Sequence, residues 1–321
     1  MPTLRIRIIA PIAIVTATMA AVPARAAEAT FYQLPRNAYP HDVAPAADGG
    51  VWYSGQMRGV LGRFDPKSGA NEEIPLGPNA APHGVIVGPD GAPWITEGGQ
   101  NAIARVDPAT RKVELFPLPR EFANANLNTA AFDRDGKLWF TGQAGVHGRL
   151  DPSNGKLDAW RSPRPGSYGI TATPAGDVWF ASLAGDYIGR IDRATGNVTV
   201  IDPPRKGSGP RRIWSDSKGL LWVSFWTAGG IGRYDPAAKR WTVFAMPKSQ
   251  YGTYAVYVDD QDCVWATDWP ANTIQRFDPV SETFTSFPGD RRGANVRQLN
   301  GRHGETWGGE SGTDRLVVIR E

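Results

Sequence analysis

The sequence predicts an all-β fold: a seven-bladed β-propeller of four-stranded antiparallel blades, with the ring closed by the N-terminal strand completing the last blade. Three observations carry that prediction. A tryptophan recurs at Trp52, Trp94, Trp139, Trp179, Trp222, Trp265 and Trp307, at intervals of 42, 45, 40, 43, 43 and 42 residues, which is the period of propeller blades. Ten or eleven residues after each of the first six comes an Arg-x-Asp phrase, at Arg63, Arg105, Arg149, Arg190, Arg233 and Arg276. An apolar segment then ends each of the first six repeats but does not follow the seventh. A matching segment, Thr30–Pro35, stands alone ahead of the first repeat.

The repeat at Pro82–Asp107, PHGVIVGPDGAPWITEGGQNAIARVD, justifies the elements of one blade. Gly84–Val87 is an apolar first strand, Pro89–Gly91 a Pro-Asp-Gly turn, and Pro93–Thr96 the second strand with its Trp. Gly98–Asn101 turns into a third strand at Ala102–Val106, and Asp107-Pro108 opens the turn to a fourth at Lys112–Pro117. In that last turn Asp bonds its own backbone and Pro presets φ, while Gly69, Gly155 or Gly196 supplies the left-handed position in other repeats. An open ring would expose strand edges, so pairing the front strand with the last blade removes a liability. Residues other than Asp (Ile95, Phe140, Phe180, Val223) follow the Trp markers, which disfavours the WD40 class.

Residues 1–26 differ in kind from the repeats. Arg5 and Arg7 precede an apolar run at Ile8–Val22, and Ala24-Arg25-Ala26 fits a cleavage site, together the pattern of a secretory signal peptide. Residues 27–321 then form a single propeller domain, exported to the periplasm and expected to work as a monomer. Of 35 basic residues the leader holds Arg5, Arg7 and Arg25, so the remainder balances the 32 acidic ones. That neutrality gives no reason to expect a nucleic-acid partner, or a membrane partner once the leader is removed. The lone Cys263 excludes an internal disulfide and reads as a buried apolar filler.

Antiparallel blade geometry brings the start of each first strand and the end of each second strand to one mouth of the ring. Counting back from the Trp markers gives His41, His83, Asn128, Tyr168, Arg211, Tyr254 and, in a less defined register, Val296 or Arg297. Counting forward gives Glu97, Trp226, Asp268, Trp269 and Glu310 among others. The list is varied where the scaffold positions are monotonous, as expected where a fixed fold carries a specialised site. His83 and His41 are the candidate catalytic bases. Asn128, Tyr168, Arg211, Trp226, Tyr254, Asp268 and Trp269 are candidate substrate-binding residues, stacking on and clamping an organic small molecule. Bland alternatives stand beside these: polar plugs for the two histidines and an ion pair for Glu97. His147 is expected to be a core substitution and His303 solvated surface. The six repeated arginines are expected to pair with Asp between blades.

Around Gly84, Asp90, Gly91, Trp94, Thr96, Glu97, Asn101, Ile103 and Arg105, the chain resembles the streptogramin B lyase family, also called virginiamycin B lyases. Tyr168-Gly169-Ile170, Trp179-Phe180 and the Ile-Gly-Arg runs at Ile188–Arg190 and Ile231–Arg233 extend the likeness over the whole mature chain. The resemblance implies a seven-bladed propeller that opens a cyclic depsipeptide by elimination, with a histidine base and Mg²⁺ held by two glutamates, one two residues before the histidine and one fourteen after it. His83 and Glu97 keep the fourteen-residue spacing, with Ala81 at the place of the first glutamate; Tyr254 and Asp268 repeat the spacing in the sixth blade. Glu97 with Glu310 would offer oxygen ligands suited to Mg²⁺, with Ca²⁺ as the alternative. The expected function is metal-assisted carbon–oxygen elimination on a cyclic ester, lactone or depsipeptide-type substrate. The alternatives are a non-catalytic periplasmic propeller that binds a ligand or protein, and a lactone hydrolase, against which the seven repeats count.

Overall fold

The computed structural model describes residues 27–321, and the expected leader lies outside them. Seven sheets, each of four antiparallel strands, follow one another in chain order. The second blade illustrates the plan, with strands Pro82–Val87, Pro93–Glu97, Ala102–Val106 and Val113–Pro117. The last blade is made of Val296–Arg302, Glu305–Glu310 and Arg315–Arg320, completed on its outer side by Glu28–Gln33. Glu28 pairs with Arg320 and Gln33 with Arg315, so the ring is closed by strand exchange between the two ends of the described chain. The closing strand starts two residues earlier than the sequence pattern indicates, because Ala29 and Phe31 also pack into the apolar cluster around Trp265 and Val317.

The Trp markers are buried, and most of them anchor their own blade. Trp94, Trp139, Trp222 and Trp265 donate Nε1–H to an Asp in the turn before the second strand, at 3.1, 2.8, 3.0 and 2.7 Å. The repeated arginines act largely inside the blade, not between blades. Arg63, Arg105 and Arg190 pair with Asp48, Asp90 and Asp177 of the same sheet, and Arg63 and Arg105 also lie over their own Trp, 4.8 and 5.8 Å from the ring centre. Of the six, Arg149 and Arg276 also reach the next blade, Arg149 donating to the Arg193 carbonyl at 2.7 Å and Arg276 meeting Glu321. Where Gly69, Gly155 and Gly196 take the left-handed conformation, Arg111, Lys239 and Glu282 take it in the equivalent turns, with φ of 62°, 51° and 54°.

One irregularity is repeated in all seven blades and sets the site. The pairing of first and second strands slips by one residue near the mouth, between Pro40 and Val43, Pro82 and Val85, Leu127 and Ala130, Ser167 and Ile170, Pro210 and Ile213, Thr253 and Val256, and Val296 and Leu299. Such a bulge puts two residues opposite one and re-aims their side chains. A hydroxyl two residues after the Trp fills the gap. Ser54, Thr96, Ser224 and Thr267 accept the N–H of the second bulged residue at 2.8–3.0 Å. Ser54, Thr96 and Ser224 also donate to the carbonyl of the next blade's first bulged residue, at 2.6, 2.6 and 2.7 Å, and Thr141 makes the same bridge to Tyr168. Neighbouring blades are thereby stitched together at the level of the mouth.

Candidate functional site

Each bulge delivers one residue to the mouth and one to a layer beneath it. The first residues are His41, His83, Asn128, Tyr168, Arg211, Tyr254 and Arg297; the second are Asp42, Gly84, Thr129, Gly169, Arg212, Ala255 and Gln298. The second set roofs an axial cavity of about 380 Å³ lined by first strands of all seven blades. The register left open by the sequence resolves in favour of Arg297.

The two layers are tied into one buried polar circuit. His41 Nδ1 lies 2.8 Å from Asp42 Oδ1, and Arg212 Nη2 donates to the same oxygen at 2.8 Å. Arg212 Nη1 donates to Thr129 Oγ1 at 2.7 Å, and that hydroxyl donates to Asn128 Oδ1 at 2.8 Å. The Asn128 amide then reaches His83 Nε2 at 3.1 Å. His83 closes the circuit against His41, their ring centres 4.0 Å apart. The donor order fixes the tautomers: His41 carries its proton on Nδ1 and keeps the Nε2 lone pair unengaged by the protein, whereas His83 accepts at Nε2 and leaves Nδ1 buried without a partner. Burial, reinforced by Arg212, Arg297 and Arg211, holds the His41 imidazole well below its usual range. Burial and the neighbouring His41 do the same to His83. Both rings are therefore neutral near pH 7.

Beside the histidines lies a cationic aromatic cluster. The Arg211 guanidinium carbon sits 3.5 Å from the centre of the Tyr254 ring and 4.6 Å from those of Tyr168 and Trp226. Trp269 stacks on Tyr254 at 4.7 Å, and Arg297 lies 5.1 Å over Trp269. The Tyr168 and Tyr254 hydroxyls meet at 2.7 Å. Burial pushes the Tyr168 phenol upward; for Tyr254 burial acts in the same sense, but Arg211, Arg212 and Arg297 outweigh it and the phenol is drawn down.

The structure thus gathers His41, His83, Asn128, Tyr168, Arg211, Trp226, Tyr254 and Trp269 at one mouth, and it leaves out the three acids expected there. Glu97, Asp268 and Glu310 are the last residues of their second strands, and their side chains are used within and between blades. Glu97 accepts the backbone N–H groups of Ala81 and Gly99, and burial raises its carboxyl against those bonds. Glu310 is held by Arg315 at 2.7 Å and by Thr313 at 2.6 Å. Asp268 accepts the Ala271 N–H at 3.2 Å and lines, with Glu310, a narrow gap of about 20 Å³ between the sixth and seventh blades.

Glu97 Oε2 is buried without a partner, but Arg315 already neutralises Glu310, so the two are a poor donor set for a shared Mg²⁺ or Ca²⁺. Among the described residues the one grouping of three His, Cys, Asp or Glu side chains with ligand spacing is His41, Asp42 and His83. Its carboxylate oxygen is already engaged by Arg212, and three arginines act on His41, a field hostile to a divalent cation. As donors the three suit proton transfer better than metal binding.

Sequence reasoning missed Asp42, Thr129 and Arg212. The signal was their position one residue after His41, Asn128 and Arg211, which acquires meaning only once a bulge is known. His147, buried between Trp160 and Phe180 and bonded to Ser162 and Gly196, is a satisfied core residue, and His303 is exposed beside Asp260. Cys263 is buried, its thiol pushed up to about 11 by burial.

Fold and site define a seven-bladed propeller with a buried histidine pair and a cationic aromatic cluster at one mouth. The chain belongs to the virginiamycin B lyase family, whose model matches residues 14–158 and 70–321. Among solved structures it is similar to a selenomethionine-substituted virginiamycin B lyase from Staphylococcus aureus, with 23% identity and a TM-score of 0.84 over 92% of this chain and 99% of that one. A streptogramin B lyase matches at 22% identity and a TM-score of 0.83 over 92% and 97%. The extracellular domain of a B. thetaiotaomicron one-component system matches at 17% identity and a TM-score of 0.68, over 90% of this chain and 40% of that one. At these identities the structural likeness establishes the fold. No curated protein matches the chain in sequence.

Proposed function

We propose that the protein is a carbon–oxygen lyase that opens an ester or lactone by elimination, with His41 as the base. The observation that carries this reading is the His41–Asp42–Arg212 array, in which Nδ1 is tied to a carboxylate and the Nε2 lone pair is left for substrate. A neutral, oriented imidazole is the form that abstracts a proton next to a carbonyl. In the proposed step His41 Nε2 takes the proton α to the carbonyl, and the electron pair of that C–H bond forms a carbon–carbon double bond. The β-carbon–oxygen bond breaks and its electrons leave on the carboxylate oxygen. The positive field of the arginines around His41 would offset developing negative charge on the carbonyl oxygen, the role the family resemblance assigns to Mg²⁺. No step is routed through a metal, because Arg315 already neutralises Glu310 and Glu97 belongs to no grouping of three with ligand spacing among the described residues. The leader expected in residues 1–26 would place the reaction in the periplasm.

The test is turnover of a panel of cyclic depsipeptides, lactones and linear β-acyloxy carbonyl compounds, read by mass spectrometry. From a cyclic substrate elimination gives an opened, unsaturated product of unchanged mass and hydrolysis adds one water. From a linear one elimination releases an α,β-unsaturated carbonyl compound and a carboxylic acid, whereas hydrolysis releases the β-hydroxy compound and the acid. His41→Ala is expected to lower turnover by about 10²-fold or more, and full turnover in that variant would overturn the assignment. A ligand-binding propeller is the second reading, favoured by the packing of Arg211 against Tyr168, Trp226 and Tyr254. Saturable quenching of Trp fluorescence by a compound that is never turned over would support it.

A further inference from the structure

The charge at the mouth is one-sided. Three arginines come from the bulges, Arg211, Arg212 and Arg297, against the single carboxylate of Asp42. Asp42 is fully committed to Arg212 and His41. The acids that end the second strands offer no balance: Glu310 pairs with Arg315, Glu97 and Asp268 accept backbone N–H groups, and none forms an ion pair with Arg211 or Arg297.

The two remaining arginines are held in place but unneutralised. Arg211 donates Nη2 to the Tyr168 hydroxyl at 2.8 Å, and its Nε is buried with no partner. Arg297 donates Nε to Ser311 at 2.9 Å, which leaves its terminal nitrogens without a bond to the protein. Both guanidinium groups lie against the same ring, 3.5 and 5.9 Å from the centre of Tyr254, and both act on His41. Aromatic faces hold guanidinium planes flat while leaving their edges free. Such edges are shaped for a planar two-oxygen anion.

We infer that the substrate of this site is an organic anion, whose free carboxylate is held by the edges of Arg211 and Arg297 while its body lies along Trp226 and Trp269, and not an uncharged ring. The inference rests on the elimination reading for where the reacting bond lies, beside His41, but the charge preference is tested by binding alone.

The experiment is isothermal titration calorimetry of the mature chain with three probes of matched shape: 3-phenylpropanoate, N-methyl-3-phenylpropanamide and 3-phenylpropylammonium. The carboxylate is expected to bind about tenfold or more tightly than the amide, the size of one charge-assisted contact, and the ammonium least. Arg211→Gln and Arg297→Gln should each reduce the ratio of carboxylate to amide affinity, and Arg297→Lys should retain part of it. Melting curves of the variants exclude misfolding as the cause. Equal or tighter binding of the amide or ammonium, no binding of any probe, or an unchanged carboxylate preference in the double Gln variant would overturn the inference. Turnover of uncharged lactones by a protein without anion preference would remove this inference and leave the elimination reading standing; anion preference without turnover of any ester would do the reverse.

Discussion

Replacing Asp42 by Asn tests whether the buried circuit holds the mouth together. The Asp42 and Arg212 side chains are 2% and 5% exposed and 2.8 Å apart, and the same oxygen faces His41 Nδ1. Asn keeps the shape and an acceptor but removes the charge, so the Arg212 guanidinium remains buried with nothing to offset it. Breaking a buried pair in this one-sided way costs about 3–5 kcal/mol. With an unfolding entropy of roughly 0.6 kcal/mol/K for the 295 residues from 27 to 321, the melting temperature should fall by about 5–8 °C. Asp48→Asn is the control, because the Asp48–Arg63 pair is 62% and 21% exposed and is expected to contribute no more than about 1 kcal/mol. The Asp42→Leu, Arg212→Met double variant removes both charges and should melt above Asp42→Asn, since no uncompensated ion is left. Calorimetric melting at neutral pH reads all three. If Asp42→Asn melts with the wild type, or if the double variant is worse than the single, the buried pair does not carry the stability assigned to it.

Glu97→Gln should melt at or above the wild type at pH 7, because burial raises the Glu97 carboxyl above its ordinary 4.5 and ionising it inside the fold is costly. That advantage should shrink as the pH falls through the folded-state value toward 4.5, where the folded wild type takes up its proton. Added Mg²⁺ or EDTA should leave both melting temperatures unchanged. His41 and His83 titrate the other way. Their folded values lie below the 6.5 of an exposed imidazole, so beneath that pH the unfolded chain binds protons the folded one refuses. Stability should therefore drop as pH is lowered from about 7 to 5, by up to about 1.4 kcal/mol per pH unit for each ring. His83→Asn should flatten the melting profile in that window. Ser224→Ala removes a buried hydroxyl that serves Arg212 N–H and Tyr254 C=O at 3.0 and 2.7 Å; urea titration should record a loss of about 1–3 kcal/mol.

How much of this was legible in the chain follows from what each residue answers to. Trp94 and Arg105 respond to the same local demand as their counterparts, a buried ring bonded to a turn Asp and covered by a guanidinium, so they recur and declare the blade count. The front strand could be read because an unpaired segment at one end matched a missing one at the other. The residues His41, His83, Tyr168 and Arg211 were found by counting from those markers. Asp42 and Arg212 were not, because a bulge is a property of pairing register: it turns the next residue inward without changing the apolar pattern around it. Glu97 and Glu310 misled for a related reason. The last residue of a second strand can be captured by its own blade, Glu310 by Arg315 directly opposite on the next strand and Glu97 by the Ala81 and Gly99 N–H groups, and that capture is a matter of pairing register and turn geometry.

The repeated bulge explains how one scaffold carries a specialised site without strain on the ring. The hydroxyl two residues after the Trp bonds to backbone alone, so the side chains of both bulged residues are free to vary. Where the hydroxyl is missing, at Ala181 and Gly309, the first strand beside it keeps the same slipped register, so the bulge itself does not depend on the bridge. What the bridges add is a fixed height for the carbonyls of His83, Asn128, Tyr168 and Tyr254. The side chains springing from those residues are held at a common level around the axis. Arg212 of the fifth blade and Asp42 of the first, whose blades receive no such bridge, are tied directly to each other at 2.8 Å across the ring. His41, Asp42 and the arginines are positioned by a bulge that recurs in every blade, and the character of the mouth is decided by which side chain each bulge presents.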